Sequence, residues 1–341
     1  MVPALLFLCV GVPLAELLDR LGYFEAVAAV VHGRGTGVRV GVLWALACVT
    51  TAILNLDTTV VLLTPLFVRM ARRSGDDPFA LALIPLFTAA FASSFLPVSN
   101  LTTLIVTERL DLSVADVVTH LAVPGLAACV VGWAVFRRRA PRALAAGVGG
   151  AVDRRALTIG SCVVAGLLVG FVFGGLWGID PWVVALAADL VLAIVTRALP
   201  WRSVPLLTAA GVALVGLLAA LVVPASATQR LATVDAPLAL AGTVGIAAGA
   251  ANVVNNLPAT LVLLAALGPT PPAGLVLAVL LGVNIGPNLT YVGSLATLLW
   301  RAVLGRHDER VDLREFSLLG LATVPAALAG ATVALWAALA L

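Results

Sequence analysis

The run Asn55-Leu56-Asp57-Thr58-Thr59-Val60-Val61-Leu62-Leu63 recurs 201 positions later as Asn256-Leu257-Pro258-Ala259-Thr260-Leu261-Val262-Leu263-Leu264, with six of nine residues identical. Each copy interrupts a long apolar stretch. A bilayer tolerates irregular backbone only where protein or a water-filled cavity covers it. A polar break that recurs in both halves of an apolar chain therefore points to a transporter built from two repeats.

Composition settles the setting. Of 341 residues, 62% are hydrophobic and 11% charged, and the mean hydropathy is +1.12. No soluble domain needs that much apolar surface, and the chain supplies about eight to ten membrane segments at roughly 20 residues each. The cysteines, Cys9, Cys48, Cys129 and Cys162, are scattered singly, with no CxxC pair and no neighbouring histidine. They read as small packing residues, with no metal or cofactor implied. His32, His120 and His307 lie near segment ends and read as interfacial. No nucleophile, base and oxyanion group fall at a recognisable spacing, which weighs against an enzyme, and nothing calls for nucleic acid.

Crossings are expected at residues 3–20, 78–106, 118–136, 157–175, 181–197, 203–223, 273–304 and 316–340. That leaves 38–70 and 238–268 as two break-bearing segments. In the first, the return arm 58–70 has 13 residues, about 20 Å of helix against a hydrocarbon core of about 30 Å. It is too short to cross, so each such segment is expected to be a re-entrant helical hairpin. All 20 basic residues are arginines. Under this topology only Arg109 and Arg230 fall on one face, and the richer face is cytoplasmic by the positive-inside rule. Both termini are then outside and the two hairpins open in opposite directions, as in an inverted repeat. No signal peptide is needed beyond the first segment, because Met1 runs directly into apolar sequence. Trp133, Trp177, Trp182, Trp201 and Trp300 fall near segment ends, as an aromatic belt requires. The organisation is thus a first repeat over 1–136, a cytoplasmic connector over 137–156 and a second repeat over 157–341.

A second kind of break interrupts the crossings at 78–106 and 273–304. It comprises Ser93-Ser94-Phe95-Leu96-Pro97-Val98-Ser99-Asn100 in the first half and Asn284-Ile285-Gly286-Pro287-Asn288-Leu289-Thr290 in the second. Proline removes a backbone donor and glycine weakens the helix, so both crossings are expected to be broken helices. Downstream, Asn100-Leu101-Thr102-Thr103-Leu104 parallels Ser294-Leu295-Ala296-Thr297-Leu298. Four breaks converging at the midplane would offer free amides to an anionic or hydroxylated solute, and carbonyl, Asn and Thr oxygens to a small cation. The candidate binding residues are Asn55, Thr58, Thr59, Ser99, Asn100, Thr102, Asn255, Asn256, Thr260, Asn288, Thr290, Ser294 and Thr297.

Asp57 is the one carboxylate placed deep in the membrane at a break. A charge there costs at least about 2.5 kcal/mol. One reading makes it the carrier of a coupling proton or cation; the other makes it a cap for the return arm of the hairpin. Asp180 is expected in a short loop, Asp189 on a scaffold helix, and Glu16, Asp19 and Arg20 at an interface.

Several of these residues carry a family resemblance. They are Leu56-Asp57 with Leu63-Thr64-Pro65, Val98-Ser99-Asn100-Leu101, Asn255-Asn256-Leu257-Pro258, Gly286-Pro287-Asn288-Leu289-Thr290, and Gly293-Ser294-Leu295-Ala296-Thr297-Leu298-Leu299-Trp300. Together they resemble the arsenical pump membrane protein (arsenite permease) family of the ion transporter superfamily, which also holds the divalent anion/sodium symporters. The resemblance implies an all-α integral membrane protein of elevator type, with two inverted repeats and a mobile domain containing both hairpins. It also implies proton-driven efflux of arsenite or antimonite, an inorganic oxyanion or oxyacid, sometimes assisted by a partner ATPase. Elevator carriers often form homodimers, although no dimer motif is visible in this chain.

Three departures stand against that pattern. Arsenite permeases carry an acidic residue near Asn284 and a lysine at Asn288, and both positions are neutral here. Crossings 157–175 and 181–197 have no counterpart before residue 3, so Met1 is a late start or the scaffold is reduced. The first tip reads Asn-Leu-Asp-Thr-Thr in place of the Ser-Asn-Thr of dicarboxylate symporters. The expected function is proton-coupled export of arsenite. The alternative is sodium-coupled import of small organic anions such as dicarboxylates or citrate.

Overall fold

The computed structural model describes residues 2–30, 36–109, 114–139, 152–199, 237–268 and 271–340. The described residues form fourteen α-helices. The crossing expected at 203–223, Arg34, Trp201, Arg230, His32 and most of the connector 137–156 lie outside them.

The first half runs through α1 (Val2–Arg20), α2 (Tyr23–Val30), α3 (Thr36–Leu54), α4 (Leu56–Ser74), α5 (Pro78–Phe91), a 3-10 turn (Pro97–Ser99), α6 (Leu101–Arg109) and α7 (Val114–Arg139). The second runs through α8 (Arg154–Phe173), α9 (Pro181–Thr196), α10 (Pro237–Val254), α11 (Asn256–Ala266), α12 (Ala273–Ile285), a 3-10 turn (Gly286–Leu289), α13 (Leu295–Arg306) and α14 (Leu313–Ala340). Among the described residues, five helical stretches are long and apolar enough to cross a membrane: Gly37–Leu54, Val114–Arg138, Arg154–Trp177, Pro237–Val254 and Leu313–Ala340.

α3 and α4 form a hairpin, because the start of one meets the end of the other. Arg39 donates to Ser74 Oγ at 3.0 Å and pairs with the Asp76 carboxylate, with both charged side chains buried. Ser74 in turn donates to Asp76. The return arm α4 is 19 residues long, not 13, about 28 Å by helical rise. The helix continues past the apolar stretch through Arg69, Arg72 and Arg73, and Gly75 ends it in the left-handed conformation. Arg72 is held by Glu309 and by the His307 carbonyl. In the second half, α10 packs against α11 and both pack against α12. At 11 residues, α11 spans about 16 Å, well short of a bilayer core.

The two hairpin breaks fall at Asn55 and Asn255, both at positive φ (79° and 77°) with extended ψ (167° and 154°). By backbone geometry the offset is thus 200 residues, one fewer than the offset that aligns the sequence repeat. The approach arm α10 is one residue shorter than α3, with 18 against 19. The identity-aligned partner of Asn55, Asn256, is consequently the first helical residue of its arm.

The core is built differently in the two halves. In the first, aromatic rings fill the interior: Trp44, Phe87, Phe91 and Phe136 touch one another and connect through Phe316 to Trp300. Trp300 is therefore a core residue, fully buried, with its indole N–H donated to the Ala82 carbonyl at 2.8 Å. It does not belong to an aromatic belt, because α13 lies against α4 and α5 and turns that ring inward. In the second half the contact between α10 and α12 is closed by small residues. A Cβ on Gly282 would fall 2.5 Å from the Val244 carbonyl, and one on Gly286 would fall 2.6 Å from Ala248 Cβ. Such small-residue seams let membrane helices approach closely.

Two cysteines that are isolated in sequence meet in space. Cys48 on α3 and Cys129 on α7 stand with their sulfurs 3.6 Å apart.

Candidate functional site

Each half ties its hairpin to its own broken helix. In the first half, α5 stops at Ala92–Ser94, and Pro97 opens a 3-10 turn in which Ser99 Oγ accepts from Leu96 N and donates to the Ala52 carbonyl of α3 at 3.0 Å. Asn100, in extended conformation, then caps α6 by accepting from Thr102 N at 3.1 Å. In the second half, Asn252 of α10 donates to the Gly286 carbonyl and accepts from Thr290 Oγ1, both at 2.8 Å. Asn255 donates to the Val292 carbonyl at 3.4 Å, and Asn256 N donates to the Gly293 carbonyl at 3.1 Å. Ser294 caps α13, accepting from Thr297 N at 3.2 Å. Asn100 and Ser294 share nearly one backbone conformation, with φ −148° and −147°.

Among the side chains that bridge the halves, the one with the most bonds was not singled out by spacing as a site residue. Asn284, at the end of α12, accepts from Asn100 Nδ2 at 2.8 Å and from Thr102 Oγ1 at 2.6 Å. Its own amide group donates to Thr103 Oγ1 at 3.0 Å and Ser94 Oγ at 3.2 Å. All five residues are buried. The cluster is neutral, and an amide suits it because the same side chain must both accept and donate. A carboxylate could only accept, so Ser94 and Thr103 would lose the donor they have here and would have to turn their own hydroxyls toward it. Asn288, also buried, donates to the Leu86 carbonyl of α5 at 3.2 Å and so clamps α5 to the second break. Sequence reasoning missed Ser94, Thr103, Asn252 and the bridging role of Asn284. The available signal was that each lies inside or beside a break already identified.

At the first tip, Asn55 Oδ1 accepts from Thr58 N at 2.9 Å, so Asn55 is the cap of α4. The capping explanation of Asp57 is thereby filled by another residue. Asp57 Oδ1 is buried and, among the described residues, has no hydrogen-bond partner. Thr64 Oγ1 is likewise buried and unpartnered. Residues seven apart share a helix face, so α4 presents two orphaned oxygens along one line. Thr59 and Thr260 both donate back to the carbonyl four residues earlier, Asn55 and Asn256 respectively. Among the described residues, no hydrogen bond joins the Asn55–Asp57 tip to the Asn284 cluster. Asp189 Oδ1 on α9 is a further buried, unpartnered oxygen, while Asp180 accepts from Trp182 Nε1 and Glu16 pairs with Arg20.

The chain matches the family model described as citrate transporter, CitMHS, over residues 1–274. Arsenical pump membrane proteins of Escherichia coli strain K12 and of Shigella flexneri are each 28% identical to it over 336 residues, covering 87% of this chain and 77% of theirs. The corresponding protein of Yersinia enterocolitica is 27% identical over the same shares. The chain belongs to the citrate transporter family, as a multi-pass transporter of the bacterial cytoplasmic membrane whose sequence follows the arsenical pump membrane proteins over most of its length.

Proposed function

We propose that this chain exports arsenite or antimonite by proton antiport, with Asp57 carrying the proton. The observation that carries the reading is the state of Asp57: a carboxylate with an orphaned buried oxygen, one residue inside a hairpin break whose capping need Asn55 already meets. An intramembrane carboxylate without a structural partner is by default a functional group. The arsenical pump relatives support the solute. So does the chemistry of the breaks: arsenous acid is a largely uncharged trihydroxide at neutral pH, and its O–H groups match Asn, Ser and Thr oxygens better than they match an ion pair.

In the same reading the two halves are inverted repeats, 1–136 and 157–341 joined by the connector 137–156, and the hairpins move together past the remaining helices as an elevator. The positive-φ asparagines at both tips and the matching caps Asn100 and Ser294 support the repeat. Asn55, Thr58, Thr59, Ser99, Asn100, Thr102, Asn255, Asn256, Thr260, Asn288, Thr290, Ser294 and Thr297 would then line or brace the solute path.

A second reading, sodium-coupled uptake of citrate or a dicarboxylate, is favoured by the description of the matching family model. The test is flux into everted membrane vesicles, comparing arsenite with citrate and succinate under an imposed proton or sodium gradient. Arsenite accumulation that collapses with the proton gradient, and that Asp57→Asn abolishes at unchanged expression, is expected. Sodium-dependent movement of a carboxylate would overturn the arsenite reading. Near-normal arsenite flux in Asp57→Asn would remove the proton from that residue.

A further inference from the structure

Beside the first break lies a cavity of about 540 Å³ between α3, α7 and α8, walled by apolar groups. Its lining includes Trp44, Ala52, Phe95 and Trp133, together with both sulfur-bearing residues Cys48 and Cys129. The two thiols stand 3.6 Å apart, on helices 81 residues apart in sequence, and among the described residues no His, Asp or Glu joins them as a third ligand. Two bonds of about 2.3 Å from one soft ion to two sulfurs, meeting near the tetrahedral angle, span roughly 3.7 Å. The pair is already set at a chelating separation, across two helices whose packing fixes it.

The cavity has two more features that bear on its occupant. The indole nitrogen of Trp133, also on its wall, is a buried donor with no acceptor among the described residues. Ala52, also in its lining, is the residue whose carbonyl accepts from Ser99 of the first break.

We propose that Cys48 and Cys129 form a dithiol site for trivalent arsenicals, with the third substituent of the arsenic lying in the apolar cavity. The inference rests on the arsenical reading above only for the choice of metalloid. Soft, thiol-seeking centres are selected by sulfur pairs. Two arsenic–oxygen bonds break and two arsenic–sulfur bonds form. The thiol protons leave with the departing hydroxides as two waters, and arsenic stays trivalent throughout. A site of two sulfurs leaves the third valence of arsenic free. The apolar wall favours an organic group there, while the Trp133 N–H is placed to meet a hydroxyl if one remains.

The test uses the full-length protein in detergent with phenylarsine oxide as probe, read by intact mass and by cysteine mapping after alkylation with N-ethylmaleimide. The expected result is one phenylarsenic adduct per chain and at least tenfold slower alkylation of Cys48 and Cys129. Cys9→Ala/Cys162→Ala should keep the adduct, and Cys129→Ala should lose it. Unchanged alkylation of the two residues in the wild-type protein would overturn the proposal, as would an adduct that survives in Cys129→Ala. The mapping is made on the wild-type chain, so the outcome stands even if a variant does not fold. Arsenite flux separates this site from the transport reading: an adduct without flux overturns arsenite export and supports the thiol site, whereas flux without an adduct overturns the thiol site alone.

Discussion

The two hairpins share a break geometry and differ in what holds them. The first is closed at its base by the buried Arg39–Asp76 pair, and its return arm is sunk among α1, α3, α5 and α13. Its tip spends one side chain on capping and leaves a carboxylate oxygen unmatched. The second has no recorded ion pair at its base among the described residues. It exposes Val253 at 80% beside its tip, and it spends Asn252, Asn255 and Asn256 on tethering the tip to the second break. The first hairpin is thus rigid at its base with a spare charge at its tip. The second is held at the tip and carries no charge there. On the reading proposed above, this difference would give ion handling to the first hairpin and positioning to the second.

Removing the clamp gives the largest expected effect. Breaking a buried ion pair by deleting one partner costs about 3–5 kcal/mol, whereas replacing both by apolar groups of similar size is often close to neutral. Asp76→Ala should therefore lower thermal stability in detergent far more than Arg39→Met/Asp76→Leu does. Equal losses in the two variants would mean that the pair does not close the hairpin.

The second hairpin should break by crowding, not by loss of charge. Gly286→Val places a branched side chain where Ala248 already sits, 2.6 Å from the Cβ position. Overpacking of this kind costs about 1–3 kcal/mol, and the relaxation available is to push α10 away from α12, which carries the Asn252 tether with it. Arsenite flux should fall more than stability does. In the first half, α3 and α5 meet through Trp44 and Phe91 instead, and enlarging a buried small α3 residue such as Ala47 tests crowding there. A similar flux loss there would erase the distinction between the halves.

Much of this architecture was legible in the sequence because membrane solvation is strict. Clusters of proline, glycine and asparagine inside apolar stretches pointed to breaks, and the backbone irregularities at Asn55, Pro97, Asn255 and Pro287 fall within those clusters, whereas the isolated Pro13, Pro65, Pro85, Pro124 and Pro325 sit inside helices. What was not legible depends on partners distant in the chain. Asn284 looked like one more polar residue at a break until α5, α6 and α12 brought Ser94, Asn100, Thr102 and Thr103 around it. Cys48 and Cys129 were two separate apolar residues until α3 met α7. Trp300 was misplaced for a related reason: position near a segment end does not say which way a ring points. The one-residue slip between tips was hidden because identity favoured Asn256, while the backbone placed the positive-φ residue at Asn255.

Asn284 tests how much the buried polar cluster between the halves contributes. Interhelical hydrogen bonds in membranes average about 0.6 kcal/mol each, so losing the four bonds made by this side chain predicts roughly 2 kcal/mol for Asn284→Ala. Asn284→Asp keeps the two accepted bonds and loses the two donated ones. It should fall between the wild type and Asn284→Ala in thermal stability. A stability loss larger than that of Asn284→Ala would locate an unpaired charge in the cluster.

The smallest effect discriminates the tips most finely, because one substitution can be made at equivalent backbone positions. Glycine accepts a positive φ without a steric penalty, so Asn→Gly at either tip leaves the backbone conformation intact and removes only side-chain bonds. At Asn55 the lost bond is the cap to Thr58 N. Glycine at an N-cap is only a few tenths of a kcal/mol worse than asparagine. At Asn255 the lost bond is the long 3.4 Å contact to the Val292 carbonyl, and no side-chain cap exists to lose. Stability should therefore change little in both variants. Flux should part them: Asn55→Gly frees the amide beside Asp57 and gives that carboxylate a donor it lacked, so proton-coupled flux should drop severalfold, while Asn255→Gly should stay near wild type. If instead Asn255→Gly were the more damaging, the second tip would be the one that handles the coupling ion, and the division of labour between the hairpins would run the other way.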